Sequence, residues 1–312
     1  MSFEKALITG GNGNLGRLVA ARLEAQGVNV ISFDLPGTES SKTNTRHAII
    51  LGDMRDHELL SQIFADHQPQ AVFHLASMLS GSSEADPVAA WDVNATASIA
   101  LMRLALEYKS GPFFFASTLA TYGPDLPSPL PEDAEQWPLN IYGVTKVAVE
   151  RMGFYLKEKE NLDFRCLRFP FVISPYAPAA ALTAFASNAF KAAANGKAFT
   201  FPIGQDTAMS ALFLDDVTRS IVEITRADAD RLMYPVYNLH GYSVRASDIA
   251  EKLRQRYQVF NCNFDPQASL ENLIGRWPSA LTSATAEQDW DWSVEFDFDK
   301  TAEAMFELFE SD

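Results

Sequence analysis

The 312-residue sequence predicts an α/β fold, a doubly wound parallel sheet followed by a smaller mixed α/β lobe. Two observations lead to this prediction. Through about residue 172, short apolar runs alternate with stretches of helical periodicity, which is typical of a parallel sheet with helical crossovers. The first apolar run, Lys5 to Thr9, leads into glycines at positions 10, 13 and 16 and then into a helical pattern.

The glycine turn predicts a ligand as well as a fold. Glycines here allow a tight turn, close approach of backbone N–H groups to a pyrophosphate, and close packing of helix on strand. The start of the helix turns the positive end of its dipole toward the phosphates. By itself the Gly-x-x-Gly-x-x-Gly spacing also fits an ordinary turn. We predict a Rossmann-type dinucleotide site that includes Gly10, Gly13, Asn14, Leu15 and Gly16.

A second apolar strand, residues 28 to 33, ends at Asp34, which lies 18 residues beyond Gly16. A carboxylate at this place can accept hydrogen bonds from the hydroxyls of an adenosine ribose and repels a 2′-phosphate. The sequence therefore favours NAD over NADP.

The remaining elements follow in order. The first domain, residues 1 to 172, continues with strands at 47–51, 70–75, 112–116 and 163–169 and helices at 56–67, 87–108 and around Tyr142. The smaller substrate-binding lobe, residues 173 to 312, has helices near 180–195, from 215, 246–257 and 299–308 and apolar strands at 198–203, 209–214 and 236–239. Segments that contribute to the sheet can cross this boundary. The carboxyl ends of the parallel strands meet at one edge, where ligands of such sheets bind.

Tyr142 and Lys146 lie four residues apart on a predicted helix, which places both side chains on one face. A tyrosine titrates near pH ~10, so a phenolate at neutral pH needs roughly 4 kcal/mol of preferential stabilisation. A fixed lysine charge supplies part of that. The spacing alone is common on helices, and its meaning depends on the glycine loop upstream.

Composition limits the partners and the location. The formal net charge of −15 disfavours nucleic acid and anionic membranes. The two cysteines, 166 and 262, indicate neither a disulfide framework nor a metal site, and the five histidines lack metal-ligand spacing. No targeting segment or run of ~20 apolar residues is found, so a soluble cytoplasmic protein without a metal is expected.

Taken together, the motifs resemble the extended short-chain dehydrogenase/reductase family, which is also called the NAD-dependent epimerase/dehydratase family. The matching positions are the glycine loop, Asp34, Gly52-Asp53-Met54, His74-Leu75-Ala76-Ser77, Asn94, Ser117-Thr118, Tyr122-Gly123, Tyr142 and Lys146. The resemblance implies NAD as cofactor. It implies cofactor contacts at Asp53, Met54, Leu75, Ala76, Ser77, Asn94, Ser117, Tyr142, Lys146, Phe169 and Pro170.

Within the family, the sequence is most similar to the short-chain L-threonine 3-dehydrogenases. The likeness extends to the C-terminal lobe, through residues 277–281, 290–292 and 295–297. It departs where those enzymes carry Gly-Thr-Thr-Asp-Tyr-Ala, because residues 181–186 read Ala-Leu-Thr-Ala-Phe-Ala here. D-erythronate or related hydroxy-acid dehydrogenases, nucleotide-sugar epimerases or dehydratases, and a non-catalytic NAD-binding redox sensor therefore stay open as alternatives.

The resemblance implies a mechanism and a set of residues. Tyr142 as phenolate removes the proton of a secondary hydroxyl, Thr118 hydrogen-bonds the same oxygen, and Lys146 binds the nicotinamide ribose. The further candidates for gripping a small substrate are Ser80, Ser117 and Thr183. Relatives pair through the long helix and the helix of Tyr142, so we expect a homodimer, with Ile99, Met102 and Leu106 as candidates for the contact.

Overall fold

A computed structural model describes residues 2–38, 47–177, 181 and 183–310. Strands in this part of the chain are β1 (Lys5–Thr9), β2 (Asn29–Asp34), β3 (His47–Leu51), β4 (Ala71–His74), β5 (Phe113–Thr118), β6 (Phe164–Phe169), β7 (Phe171–Ile173), β8 (Phe199–Phe201), β9 (Ala208–Phe213), β10 (Val236–Asn238), β11 (Tyr242–Arg245) and β12 (Cys262–Phe264).

Helices in the same part of the chain are α1 (Asn14–Ala25), α2 (His57–His67), α3 (Ser80–Ala85), α4 (Pro87–Trp91), α5 (Ala97–Glu107), α6 (Ile141–Glu160), α7 (Phe185–Ala194), α8 (Leu214–Arg226), α9 (Ala246–Arg256), α10 (Ala268–Ile274), α11 (Ala284–Trp290) and α12 (Phe298–Glu310). A π-helical turn, Asp92–Thr96, joins α4 to α5, and 3₁₀ turns lie at Leu119–Thr121 and Ala229–Arg231.

The centre of the molecule is a seven-stranded parallel sheet in the order β10-β6-β5-β4-β1-β2-β3. The chain runs outward from β1 to β2 and β3, then returns to place β4 on the other side of β1. The strand order therefore reverses between β1 and β4, and a crevice opens at the carboxyl ends of strands beside such a point. The predicted doubly wound α/β fold is confirmed.

Helices cover both faces of this sheet. On one face, α1 and α8 pack through buried residues such as Val19, Leu23 and Ile221. On the other face, α2, α5 and α6 pack through Leu60, Leu101 and others. Because both faces are covered, the central strands are buried along their whole length, as β4 and β6 are.

The smaller lobe contains a three-stranded sheet in the order β11-β9-β7, a two-stranded sheet of β12 and β8, and the helices α7, α9 and α12 around a third apolar core. Two elements that follow residue 172 belong to the large sheet: β10 pairs with β6, and α8 packs on α1. The division at residue 172 stays a prediction.

Several elements differ from those predicted. The long helix at 87–108 is three consecutive helical segments, because the π-helical turn interrupts it at Asn94. The predicted set omitted α3, α10 and α11 and the strands β7, β11 and β12, which are too short for a periodic pattern to stand out. The predicted start of the helix at 180–195 lies outside the described residues, and the described helix begins at Phe185.

Two kinds of feature are absent from the described residues, a membrane-spanning helix and a metal-binding cluster. No helix among them has the length and apolarity needed to cross a bilayer. Over the same ranges, no three His, Cys, Asp or Glu side chains are placed to hold a metal ion. Both cysteines are buried and unbridged.

Candidate functional site

A cleft of about 750 Å³ runs along the carboxyl ends of β1, β2, β4, β5 and β6. It brings together the predicted site residues from both halves of the chain, with one exception, Asn94. The predicted residues that line it are Gly10, Gly13, Asn14, Leu15, Gly16, Asp34, Asp53, Met54, Leu75, Ala76, Ser77, Ser80, Ser117, Thr118, Tyr142, Lys146, Phe169, Pro170 and Thr183.

The glycine loop is packed so closely that side chains would not fit. Gly10 has φ +71°, and a Cβ there would lie 2.8 Å from the backbone nitrogen of Ala76. Only glycine adopts this conformation without strain. The N-cap position of α1 is Gly13, which has no side chain to cap the helix. The first-turn N–H groups of α1 are therefore left to a ligand or water at the cleft wall.

Two carboxylates lie at the adenosine end of the cleft. The Asp34 carboxylate accepts hydrogen bonds from the backbone N–H of Asn12 (2.8 Å) and of Leu35 (2.8 Å), so it is held at the tip of β2 beside the glycine loop. Asp53 is paired with Arg55, whose hydrogen bond holds the pKa of that carboxyl below its ordinary value. A glycine cradle, an uncapped helix start and a fixed acid at the ribose position fit a dinucleotide such as NAD.

The first turn of α6 places Tyr142. The Asn140 side chain caps the helix by accepting from the Gly143 N–H (2.7 Å), and Glu84 accepts from the Ile141 N–H (2.8 Å). At Gly143 a Cβ would overlap the carbonyl oxygen of Ala120, in the turn that follows Thr118. The absence of a side chain at this glycine therefore lets the helix and the end of β5 meet.

Lys146 is buried under the cleft floor, at 3% exposure. Its ammonium donates to the Ala116 carbonyl (2.8 Å) and lies 4.5 Å from the centre of the Phe115 ring and 5.4 Å from that of Tyr142. Burial lowers the pKa of Lys146 to about 8. At neutral pH the side chain is therefore still charged, although only by a small margin.

Burial raises the pKa of Tyr142 to about 12 in the protein alone. Lys146 by itself therefore does not make this residue a phenolate, although its ammonium lies near the ring. The predicted lowering of the tyrosine pKa requires a further positive charge in the cleft. An oxidised nicotinamide ring carries such a charge.

Thr118 ends β5 and begins the 3₁₀ turn at residues 119–121. Its Oγ1 accepts a hydrogen bond from the Ala120 N–H (3.1 Å). The hydroxyl hydrogen is then directed elsewhere, and the residue lines the cleft. A donor at this position suits a substrate oxygen, as predicted.

The hydrogen bonds of two predicted site residues, Asn94 and Ser117, limit the contacts that these residues can make, and their roles stay predictions. The Asn94 side chain is 2% exposed and bonds the Met78 backbone N–H (2.7 Å) and carbonyl (3.0 Å), so it supports the loop after β4 from behind. The Ser117 hydroxyl donates to the buried Glu150 (2.5 Å), so its hydrogen does not reach a substrate carboxylate and it is left to accept from a donor such as an amino group. Neither position was distinguishable from a contact residue in the sequence, because burial depends on the packing of distant elements.

The end of the cleft beyond Tyr142 is formed by both lobes. Ser80 at the start of α3 and Thr183 before α7 line it, as predicted. Sequence reasoning assigned no site role to the apolar residues Leu79, Leu119, Phe171, Ala184 and Trp277, which lie on the same wall. One feature of the sequence could have indicated a role for these residues: Trp277 lies in the stretch that resembles threonine dehydrogenases.

Comparison with known proteins gives a consistent assignment. The model of the NAD-dependent epimerase/dehydratase family matches residues 6–239. An uncharacterized epimerase/dehydratase of Staphylococcus saprophyticus is 28% identical over 98% of this chain and 97% of its own length. A mitochondrial L-threonine 3-dehydrogenase of Sus scrofa is 29% identical over 96% of this chain and 81% of its own length.

Solved structures are similar over the whole chain. The L-threonine dehydrogenase of Clostridium difficile is 28% identical and superposes with a TM-score of 0.94 over 100% of this chain and 99% of that one. A monomeric L-threonine 3-dehydrogenase from a metagenome is 28% identical with a TM-score of 0.90, over 98% and 99% of the two chains.

Proposed function

Because the chain belongs to the NAD-dependent epimerase/dehydratase family, whose cofactor is NAD, we propose that it is a dehydrogenase that oxidises a secondary hydroxyl of a small substrate. The observation on which this rests is that Tyr142 and Lys146 of α6 and Thr118 of β5 line the same cleft as the glycine loop. A base, a cation and a hydroxyl donor beside a dinucleotide site are the groups that such an oxidation uses.

When bound in the cleft, NAD would supply the hydride acceptor for the carbinol carbon. Tyr142, in its phenolate form, accepts the hydroxyl proton and becomes the neutral phenol. Thr118 orients the substrate oxygen by donating to it, and Lys146 keeps a positive charge near the phenol. A positioned acid/base of this kind contributes ~10²–10⁴-fold to the rate.

L-threonine, which would give 2-amino-3-ketobutyrate, is the first substrate to test. Its support is the similarity to the L-threonine dehydrogenases of Sus scrofa and Clostridium difficile. D-erythronate or a related hydroxy acid is the second candidate, since residues 181–186 depart from the threonine dehydrogenase pattern. A nucleotide-sugar epimerase or dehydratase and a redox sensor are the further alternatives.

A substrate panel separates these functions. The purified protein is given NAD with L-threonine, D-erythronate, other small hydroxy acids and UDP-sugars, and formation of reduced nicotinamide is followed together with product analysis. NAD reduction with threonine or a hydroxy acid supports the proposal. Conversion of a UDP-sugar alone, or NAD binding without turnover of any compound, would contradict it.

We also propose a homodimer through α5 and α6. Met102 is wholly buried in the core of its own subunit, so it cannot contact a second subunit as expected. Helix α6, in contrast, exposes Val144, Phe154 and Tyr155. Phe154→Glu places a charge in that apolar face and should give monomers at micromolar concentration by light scattering. The exposed Lys159→Glu on the same helix is the control. A wild-type monomer, like the metagenomic relative, would contradict this proposal.

A further inference from the structure

Glu150 is a buried carboxylate for which the proposed proton transfer has no use. It follows Tyr142 and Lys146 on α6 at the same four-residue interval, so the three side chains share one face of the helix. Tyr142 and Lys146 line the cleft, while Glu150 is 1% exposed below it. A charge at such a depth is tolerated only when neighbouring groups compensate it.

The compensation comes from three other segments of the chain. Glu150 accepts hydrogen bonds from the Ser117 hydroxyl (2.5 Å), from the Gln136 amide (2.9 Å) and from the Arg168 guanidinium, whose Nη2 lies 2.7 Å and Nε 3.0 Å from the carboxylate. Ser117 lies at the end of β5, Arg168 at the end of β6, and Gln136 in the loop before α6. Glu150 therefore joins the ends of two central strands to the helix.

Arg168 extends the connection to a third strand. Its Nη1 donates to the Tyr122 hydroxyl (2.5 Å) and to the Glu132 carbonyl (3.1 Å), and the Tyr122 hydroxyl donates to Asn238 in β10 (2.8 Å). The side chains of Tyr122 and Asn238 are wholly buried. These hydrogen bonds lie next to the cleft in the chain. Thr118 is four residues before Tyr122, and cleft residues directly follow Arg168.

Two parallel hydrogen bonds then define the register of α6 on β5. Lys146 donates to the carbonyl of Ala116, and one helical turn later Glu150 accepts from the hydroxyl of Ser117. Consecutive residues of the helix face are thus bonded to consecutive residues of the strand. Tyr142 lies one helical turn before Lys146, and Thr118 directly follows Ser117, so both residues that would meet the substrate adjoin this contact and line the cleft.

We propose that Glu150, paired with Arg168, is a positioning residue for the reaction, because it fixes α6 against β5 so that Tyr142 and Thr118 reach the same substrate oxygen. This inference rests on the proposed function. A buried ion pair is on average no more stabilising than apolar residues of equal volume. The stability of the fold therefore does not explain the Glu150–Arg168 pair. The need to hold α6 in one position on β5 does explain it.

Glu150 also helps to keep Lys146 charged, against the larger effect of burial on its pKa. The titratable groups that face this ammonium are Tyr142 and Glu150 on α6, Cys166 on β6 and His74 on β4. Burial lowers the pKa of His74 to about 3 and raises that of Cys166, so both are neutral at pH 7. Glu150 is the negative charge in this group, and it raises the pKa of Lys146 against the effect of burial.

The test compares Glu150→Gln with Glu150→Asp and with Arg165→Met. Arg165 is equally buried and ion-paired, but it lies three residues nearer the amino end of β6, away from the cleft. Arg165→Met should lose stability and keep its kcat. Because a displacement of ~1 Å at a reacting group costs about 10²-fold, Glu150→Gln should lose about 10²-fold in kcat with little change in KM for NAD. Glu150→Asp, which keeps the charge, should lie between Glu150→Gln and the wild type.

A second readout needs neither substrate nor cofactor. In protein with ¹³C-labelled lysine, the NMR signal of Lys146, identified by its loss in Lys146→Met, should titrate at lower pH in Glu150→Gln than in the wild type. If the wild type oxidises no compound, the proposed function fails, and this titration still decides the inference. If Glu150→Gln does not fold, it is replaced by the double variant Glu150→Gln/Arg168→Gln, which removes both charges of the pair. Wild-type kcat together with an unchanged Lys146 titration would overturn the proposal.

Discussion

Replacing Lys146 by methionine should make the protein more stable and inactive at the same time. Methionine has a similar length and no charge, so it fills the same space beneath the cleft. The ammonium is 3% exposed, and burial lowers the pKa of Lys146 from 10.5 to about 8. The folded protein therefore holds this charge at a cost, which the substitution removes.

The size of the effect follows from the pKa difference. A decrease from 10.5 to about 8 corresponds to roughly 3 kcal/mol of free energy of unfolding. The lost hydrogen bond to Ala116 and the lost contact with the Phe115 ring offset about 1–2 kcal/mol of this. We expect a net stabilisation of about 1–2 kcal/mol at pH 7.

The pH dependence has a definite sign. Below about pH 8 the lysine is protonated in both the folded and the unfolded state, so the full cost is present. Between about 8 and 10.5 the unfolded state binds the proton and the folded state does not, so wild-type stability gains on the variant as pH rises. The advantage of Lys146→Met should therefore be constant up to about pH 8, reach zero before 10.5, and change sign at higher pH, where the variant still lacks the hydrogen bond to Ala116.

Equilibrium unfolding in urea between pH 6 and pH 10, without cofactor, measures this difference. Lys159→Met, an exposed position on the same helix, is the matched control and should change stability little at any pH. A Lys146→Met protein that is less stable than the wild type at pH 7, or whose advantage grows toward pH 10, would refute the reasoning.

Three further substitutions test other parts of the account. Gly10→Ala should weaken NAD binding, measured by calorimetry, at least ~10-fold, because the added Cβ would lie 2.8 Å from the Ala76 nitrogen. The control is Gly196→Ala, where φ is positive but the space is open, and it should lower the free energy of unfolding without changing NAD binding. Asp34→Ser should raise the kcat/KM ratio of NADP to NAD, because it removes repulsion of the 2′-phosphate. Burial raises the pKa of Glu132 to about 7, so Glu132→Gln should be more stable than the wild type in urea at pH 8 but not at pH 4; an equal difference at both pH values would contradict this.

Local patterns were sufficient for the parts of the site that lie close together in sequence. The glycine loop and Asp34 fall within one βαβ unit, and Tyr142 and Lys146 within two turns of a helix. In both cases backbone geometry alone decides the arrangement. For this reason the fold class was predicted, and every predicted site residue except Asn94 lines the cleft, whereas the apolar lining residues such as Phe171 and Trp277 were not predicted.

The remainder depends on contacts between distant segments. The pairing of β10 with β6 and the bond between Glu150 and Ser117 join residues tens of positions apart, and no local pattern contains them. The raised pKa of Tyr142 is likewise caused by burial, which is a property of the assembled cleft. The four-residue spacing from Lys146 to Glu150 is visible in the sequence, but the pairing of Glu150 with Arg168 is not.

The central claim is that Tyr142 exchanges a proton with the substrate beside bound NAD. Tyr142→Phe removes the phenolic oxygen and keeps the ring, so it tests this claim most directly. We predict that kcat for NAD reduction falls ~10²–10⁴-fold while the Kd for NAD, measured by calorimetry, stays unchanged. A variant that binds NAD normally and keeps most of the wild-type rate would contradict the account.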